Sequence, residues 1–214
     1  MLLAYHRAAI DQLREPTRHD PWRVLVSGCL AGWACGVDGG DYGFGARFAA
    51  LLALPTLRAL PFCPEQHGLG TPRTMPDIHG GDGFDVLAGR ARVIDERGRD
   101  LTAGMMAGAE AMLAFAREQR AELAMLTDMS AACGSQVISD GCRLVPDRRW
   151  QKGVGVATAL LLNAGIPVVA QRDARTLALL QARLDPTFTP PDDARDHHEH
   201  PWVLEHLPGL HRRA

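Results

Sequence analysis

Residues 23–29 read RVLVSGC: three apolar residues, Val24, Leu25 and Val26, lie between Pro21 and Gly28, and a thiol follows at once. A short apolar run bounded by turn formers predicts a strand buried on both sides. The form recurs. Residues 57–63, LRALPFC, predict a second strand that again ends at a cysteine. Residues 121–129, AELAMLTDM, predict a third, with Cys133 four positions beyond its end. Residues 166–170, IPVVA, predict a fourth.

Helical segments separate these strands. ARFAALLAL (46–54), DLTAGMMAGAEAMLAFAREQR (100–120), GVGVATALLLNAG (153–165) and DARTLALLQARL (173–184) carry helical apolar spacing. The long helix takes its start from Asp100 or Thr102, and Met105, Ala109, Met112, Leu113 and Ala116 form its core face. Strands that alternate with helices predict an α/β fold, a Rossmann-like parallel sheet with helices on both faces. Residues 64–85, rich in Gly and Pro, read as one long loop, 85–98 as a small hairpin, and 139–150 as a loop or weak hairpin. The domain reading is an N-terminal extension at 1–22, an α/β domain at 23–183 and a polar C-terminal extension at 184–214. Within the first, Leu2, Leu3, Ile10 and Leu13 suggest a short helix. Within the last, HHEH at 197–200 reads as a solvated tail rather than a chelator.

Composition narrows the function classes. The chain has 214 residues, of which 46% are hydrophobic and 22% charged, in the range of ordinary globular proteins. A net charge of −2 gives no global attraction to nucleic acid, so stable nucleic-acid binding is not expected. No run is long enough to span a bilayer and no signal peptide is evident, so a cytoplasmic protein without membrane contact is expected. Five cysteines, an odd number, in a reducing compartment do not suggest a disulfide framework.

Cys29, Cys63 and Cys133 each follow a strand. Parallel strands deliver their carboxyl ends to one edge, where ligands of open α/β sheets gather. Three thiols at that edge are either separate buried cysteines or a ligand set. Structural zinc usually takes four ligands, often in paired CxxC steps, and no such pair exists here. A [4Fe-4S] cluster held by three thiolates would leave one iron open to a soft ligand such as sulfur. Cys35 and Cys142 read as bystander thiols. Arg73 suits a substrate carbonyl or phosphate, or a structural salt link. Asp38 suits turn chemistry. Gly153 and Gly155 open a helix whose N-terminus suits an anion, or they serve helix–strand packing.

Taken in order, VLVSGCLAG (24–32), VDGG (37–40), CPEQHGLGTPR (63–73), GGDGFDVLAGRARV (80–93), SAACGS (130–135), SDG (139–141) and GVGVATALLLNAGIPVV (153–169) resemble the thiouracil desulfurase family. The resemblance spans about residues 23–170. It implies an α/β enzyme whose [4Fe-4S] cluster is held by Cys29, Cys63 and Cys133, with Glu65 and Ser130 catalytic. It further implies removal of sulfur, as sulfide, from a thiopyrimidine or thionucleoside, with C=O replacing C=S and no net redox change. Arg73, Gly134 and Ser135 are assigned to the substrate side. The alternative is a sensor module that binds a cluster or nucleotide without turnover. The chain departs from the family pattern at Ala131-Ala132, where Pro-Ser is common, and at Thr127-Asp128-Met129, where a basic residue is common.

Overall fold

The computed structural model describes residues 8–207; Leu2 and Leu3 of the expected N-terminal helix lie outside them, while Ile10 and Leu13 pack against the core. The central sheet has four strands: β1 (Trp22–Ser27), β2 (Leu57–Phe62), β5 (Leu123–Leu126) and β8 (Val168–Ala170), in the order β2-β1-β5-β8 and all parallel. Side chains alternate across it. Leu25, Ala124, Leu126 and Val168 face α4 (Thr102–Glu118) and α5 (Val156–Asn163). Val24, Val26, Leu123, Met125 and Val169 face α1 (Phe44–Leu52) and α6 (Ala174–Leu184). The expected parallel sheet with helices on both faces is therefore what forms. The strand order reverses between β1 and β5, so the segments after β1 and β5, which carry Cys29 and Cys133, flank the crevice where such sheets take ligands.

The stretch 64–85 is not a loop. It contains α2 (Pro64–Leu69), β3 (Asp77–His79) and the start of α3 (Gly83–Leu87). Cys63 caps α2, with Pro64 in the first turn, and Asp82 with Asp85 forms a capping box on α3. The expected hairpin has a different partner: β4 (Arg92–Ile94) pairs antiparallel with β3, and α3 lies between them. Residues 139–150 do connect a hairpin, β6 (Val137–Ser139) with β7 (Trp150–Lys152).

Helix α2 is seated by glycines. A side-chain carbon at Gly108 of α4 would run into the carbonyl oxygen of Pro64, and one at Gly68 into that of Gly104. The two backbones touch only because these positions lack a Cβ. That contact fixes the position of Glu65, in the first turn of α2.

The C-terminal segment is not a solvated tail. His197 lies in a short 3-10 turn (His197–Glu199) and is 6% exposed; Asp196 is 1% exposed. Helix α7 (Pro201–His206) follows, and Val203 and Leu207 pack with Val137, Met129, Trp150 and Trp202. Among the described residues, no helix is long and apolar enough to cross a membrane.

Candidate active site

Three strand ends bring the thiols together. After β1 the chain enters a single 3-10 turn, Gly28–Ala31, closed by Gly32 in the left-handed region. Cys29 Sγ lies 3.0 Å from Thr127 Oγ1, which belongs to the segment after β5. The Thr127 N–H donates to Ser27 Oγ at 3.0 Å, and Ser27 also hydrogen-bonds the Cys133 thiol. Cys63 Sγ accepts from the Gln66 N–H at 3.3 Å. Cys35 was read as a bystander; the chain instead folds it back between two of the candidate ligands, where it hydrogen-bonds both Cys29 and Cys63 and is 1% exposed. A Cβ on Gly28 would come within 3.2 Å of both Cys35 Sγ and Cys63 Cβ. Glycine here lets the end of β1 lie directly against the second thiol. Cys142 lies on the connection between β6 and β7.

The thiols differ in acidity. Cys29 is held below the ordinary thiol value, first by its hydrogen bond with Cys35 and then by Thr127. Cys63 is lowered too, first by Cys35 and then by the Gln66 N–H. Cys35 is pushed up by the same two hydrogen bonds and by its burial. Cys133 is raised, because its burial disfavours the thiolate.

Beside the thiols runs a polar chain. Ser130 donates from Oγ to Glu65 Oε1 at 2.8 Å. The same Oγ accepts from the N–H groups of Ala132 (3.1 Å) and Cys133 (3.0 Å). Two donors on the hydroxyl oxygen leave its own proton to Glu65, so the direction of the bond is determined. The other carboxylate oxygen, Oε2, takes Arg73 at 2.6 Å. The pair is largely enclosed, with side chains 5% exposed for Arg73 and 12% for Glu65. Burial works against the charged guanidinium, but Glu65 outweighs it and Arg73 titrates above its ordinary value. The salt link considered for Arg73 is formed, with Glu65. Asp38 accepts from the Gly40 N–H at 2.9 Å, as turn chemistry requires.

The turn Ser130–Gly134 closes on itself through the Gly134 N–H and the Ser130 carbonyl, 2.9 Å apart. It also sits over the start of α5. The N–H of Val156 donates to the Ala131 carbonyl at 2.8 Å and that of Ala157 to the Ala132 carbonyl at 2.9 Å. Thr158 Oγ1 donates to the Cys133 carbonyl at 2.9 Å. The leading N–H groups of the helix are thus consumed, and the anion site considered for its N-terminus is not available. Ala131 and Ala132 are buried, and a Cβ on Gly155 would strike their backbone. Gly134 has its own steric reason: a Cβ there would come within 2.7 Å of the Ser130 carbonyl oxygen. The Ser135 hydroxyl is buried and has no hydrogen-bond partner among the described residues.

Two further residues hold this loop. Met129 adopts φ 61°, a strained region for a long side chain. Its carbonyl accepts from Arg143 Nη1 at 2.5 Å, while Arg143 is itself paired with the buried Asp77. Sequence reading did not single out Ser27, Asp77 or Arg143, and met Thr127 only within a departure from the family pattern. The only local sign was SDG followed by Cys142-Arg143, a charge beside a tight turn.

Comparison with known proteins identifies the family. The family model described as 2-thiouracil desulfurase matches residues 24–173. The Bacillus subtilis (strain 168) uncharacterized protein YbbK is 35% identical over 151 residues, 70% of this chain and 96% of its own length. A solved structure of a [4Fe-4S]-dependent thiouracil desulfidase, TudS, superposes with a TM-score of 0.62 at 33% identity, over 75% of this chain and 98% of that one. The chain belongs to the 2-thiouracil desulfurase family.

Proposed function

We propose that the protein is an iron–sulfur-dependent desulfurase that removes sulfur from a thiolated pyrimidine, a 2-thiouracil-like base or nucleoside, as sulfide. The observation that carries this reading is the hydrogen-bonded chain Arg73–Glu65–Ser130, set beside the thiol group. A sensor that only held a cluster would not require an oriented carboxylate there.

The residues suit a [4Fe-4S] group on donor chemistry and on backbone approach. Cys29, Cys63 and Cys133 are soft donors joined through Ser27, Thr127 and Cys35. Glycine at position 28 allows the close backbone approach. Among the described residues, no three His, Cys, Asp or Glu side chains close around a single ion. A cubane makes a different demand, because each of its thiolates binds a separate iron. Cys29, Cys63 and Cys133 would hold the cluster, which supplies a soft Lewis acid for a thiocarbonyl sulfur.

The protein's own part is proton handling. Glu65 takes a proton from the water that attacks the thiocarbonyl carbon. Arg73 holds that carboxylate in place, and Ser130 donates to its other oxygen. Carbon loses sulfur and gains oxygen, water is consumed and hydrogen sulfide leaves, so no electrons are exchanged. The unpartnered Ser135 hydroxyl supports its assignment to the pyrimidine ring, while Gly134 acts by leaving room in the turn. The free thiols support a reducing, cytoplasmic setting.

The test is anaerobic reconstitution, followed by the absorption spectrum and then sulfide release from 2-thiouracil. A brown protein whose sulfide release collapses in Glu65→Gln at unchanged iron content is the expected result. A colourless protein after reconstitution, or full turnover in Glu65→Gln, overturns the reading.

A further inference from the structure

Asp128 sits two residues before Ser130, and both of its carboxylate oxygens are engaged. Oδ1 accepts from the N–H groups of Ser135 (2.8 Å), Gln136 (3.0 Å) and Val137 (3.3 Å), the segment that leaves the third thiol. Oδ2 meets His197 Nδ1 at 2.5 Å. Both residues are buried, Asp128 at 4% exposure and His197 at 6%. The Asp128 backbone N–H is held too, by Gln171 Oε1 at 2.5 Å.

His197 is itself fixed from behind. Its N–H donates to Asp173 Oδ1 at 3.1 Å. The preceding Asp196 accepts from both the N–H and the hydroxyl of Thr176 at 2.8 Å each. Val203 and Leu207 then close over Val137 and Met129. The family match ends at residue 173, so Asp196, His197 and α7 all lie beyond it.

We propose that His197 is a positioning residue for the third-thiol loop: through Asp128 it fixes the Ser130–Val137 turn, so that Cys133 and Ser130 hold their places. The proposal rests on the reading of Cys133 as a cluster ligand. The physical reason is that three N–H groups of the loop share one carboxylate oxygen, whose orientation depends on what holds the other. Without a donor at Oδ2 the buried carboxylate turns toward water, and the loop loses its common acceptor.

The experiment compares full-length His197→Asn and His197→Leu, side chains of nearly equal size of which only Asn can donate. Amide hydrogen exchange is followed across residues 130–139 without iron, and the rate at which bathophenanthroline disulfonate removes iron is followed after anaerobic reconstitution. In His197→Leu the Ser135–Val137 amides should exchange about ten-fold faster and iron should leave several-fold faster, while His197→Asn stays within about two-fold of the parent. Arg175→Met, which cuts the links to Glu199 and the Ala194 carbonyl in the same segment and is not bonded to the loop or Asp128, serves as the control. Equal behaviour of the Asn and Leu variants overturns the proposal, as does an Arg175→Met protein that loses iron as fast as His197→Leu. If His197→Leu does not fold, loop protection in His197→Asn decides: parent-like supports the proposal, lost protection overturns it. A parent protein that takes up no iron while the exchange difference persists refutes the cluster reading and leaves the brace standing.

Discussion

The backbone turns that carry Cys29 and Cys63 are held locally, whereas the loop that carries Cys133 is also braced from afar. Cys63 takes the N–H of Gln66, three residues on, and Cys29 rides a turn closed by the Trp33 N–H on the Gly28 carbonyl. Both thiols are lowered by their hydrogen bonds. The turn that carries Cys133, Ser130–Gly134, also closes on itself, but it draws further support from distant parts of the chain. The loop leans on α5 through Ala131, Ala132 and Thr158, on Arg143 through Met129, and on His197 through Asp128. A strand end can present a ligand by itself, but a buried ligand in a strained loop needs holders, and those come from wherever the fold brings them.

The largest effect that can break this contrast is removal of a thiol. Serine at Cys29, Cys63 or Cys133 should lower bound iron to below about a tenth of the parent value, and serine at Cys35 should not, since iron sites of this kind depend on thiolates. Iron analysis after anaerobic reconstitution checks it. If Cys35→Ser loses iron as completely as the others, the division into three ligands and one supporting thiol fails.

Next comes the seat of Glu65. Gly108→Ala places a methyl group against the Pro64 carbonyl oxygen, and backbone must move. The strain is about 1–3 kcal/mol, and sulfide release should fall at least about ten-fold as Glu65 shifts away from Ser130. Ala107→Ser on the same helix should leave turnover unchanged.

A smaller loss sharpens the far-wired side. Thr158→Val keeps the shape of the side chain but removes the donor to the Cys133 carbonyl. The expected cost is about 1 kcal/mol of stability, with faster iron loss and little change in Cys63 alkylation of the iron-free protein. Chemical denaturation and thiol labelling read the two separately.

The smallest effect is a pH dependence. Burial raises the Asp173 carboxyl to about 7, assisted by the nearby charges of Asp128 and Asp196 and opposed by the N–H groups of Ala170 and His197. Between the ordinary carboxyl value of 3.8 and about 7 the folded protein holds a proton that the unfolded chain has released. Stability from this group therefore falls as pH rises through that window and is level above it. Tm should drop by on the order of 5 °C from pH 5 to pH 8, and Asp173→Asn should flatten that slope. An unchanged slope in Asp173→Asn removes this residue as its source.

The same contrast explains what could be read from sequence. Strands such as VLV and LAML are apolar runs, and a cysteine at their end is plain in one dimension. Glu65 and Ser130 were reachable through the family resemblance, which ties them to thiols two and three positions away. Helices α2 and α3 were not, since six and five residues are too few to establish a period. Cys35 looked idle because nothing local says that the turn after Cys29 doubles back. The tail was read as solvated because HHEH is polar, while its burial depends on Asp128, 69 positions earlier. Apolar patterning announces itself within a few residues, whereas a buried polar pair needs both members in view.

The position of His197 also orders events during synthesis. A ribosome releases Cys29, Cys63 and Cys133 long before it reaches residue 197 of 214. Until then Asp128 lacks its second partner, and the third-thiol loop is held only by α5 and Arg143. The brace forms only once residue 197 has emerged, so the stretch that carries the thiols and the residue that braces their third loop reach the folding chain at separate times.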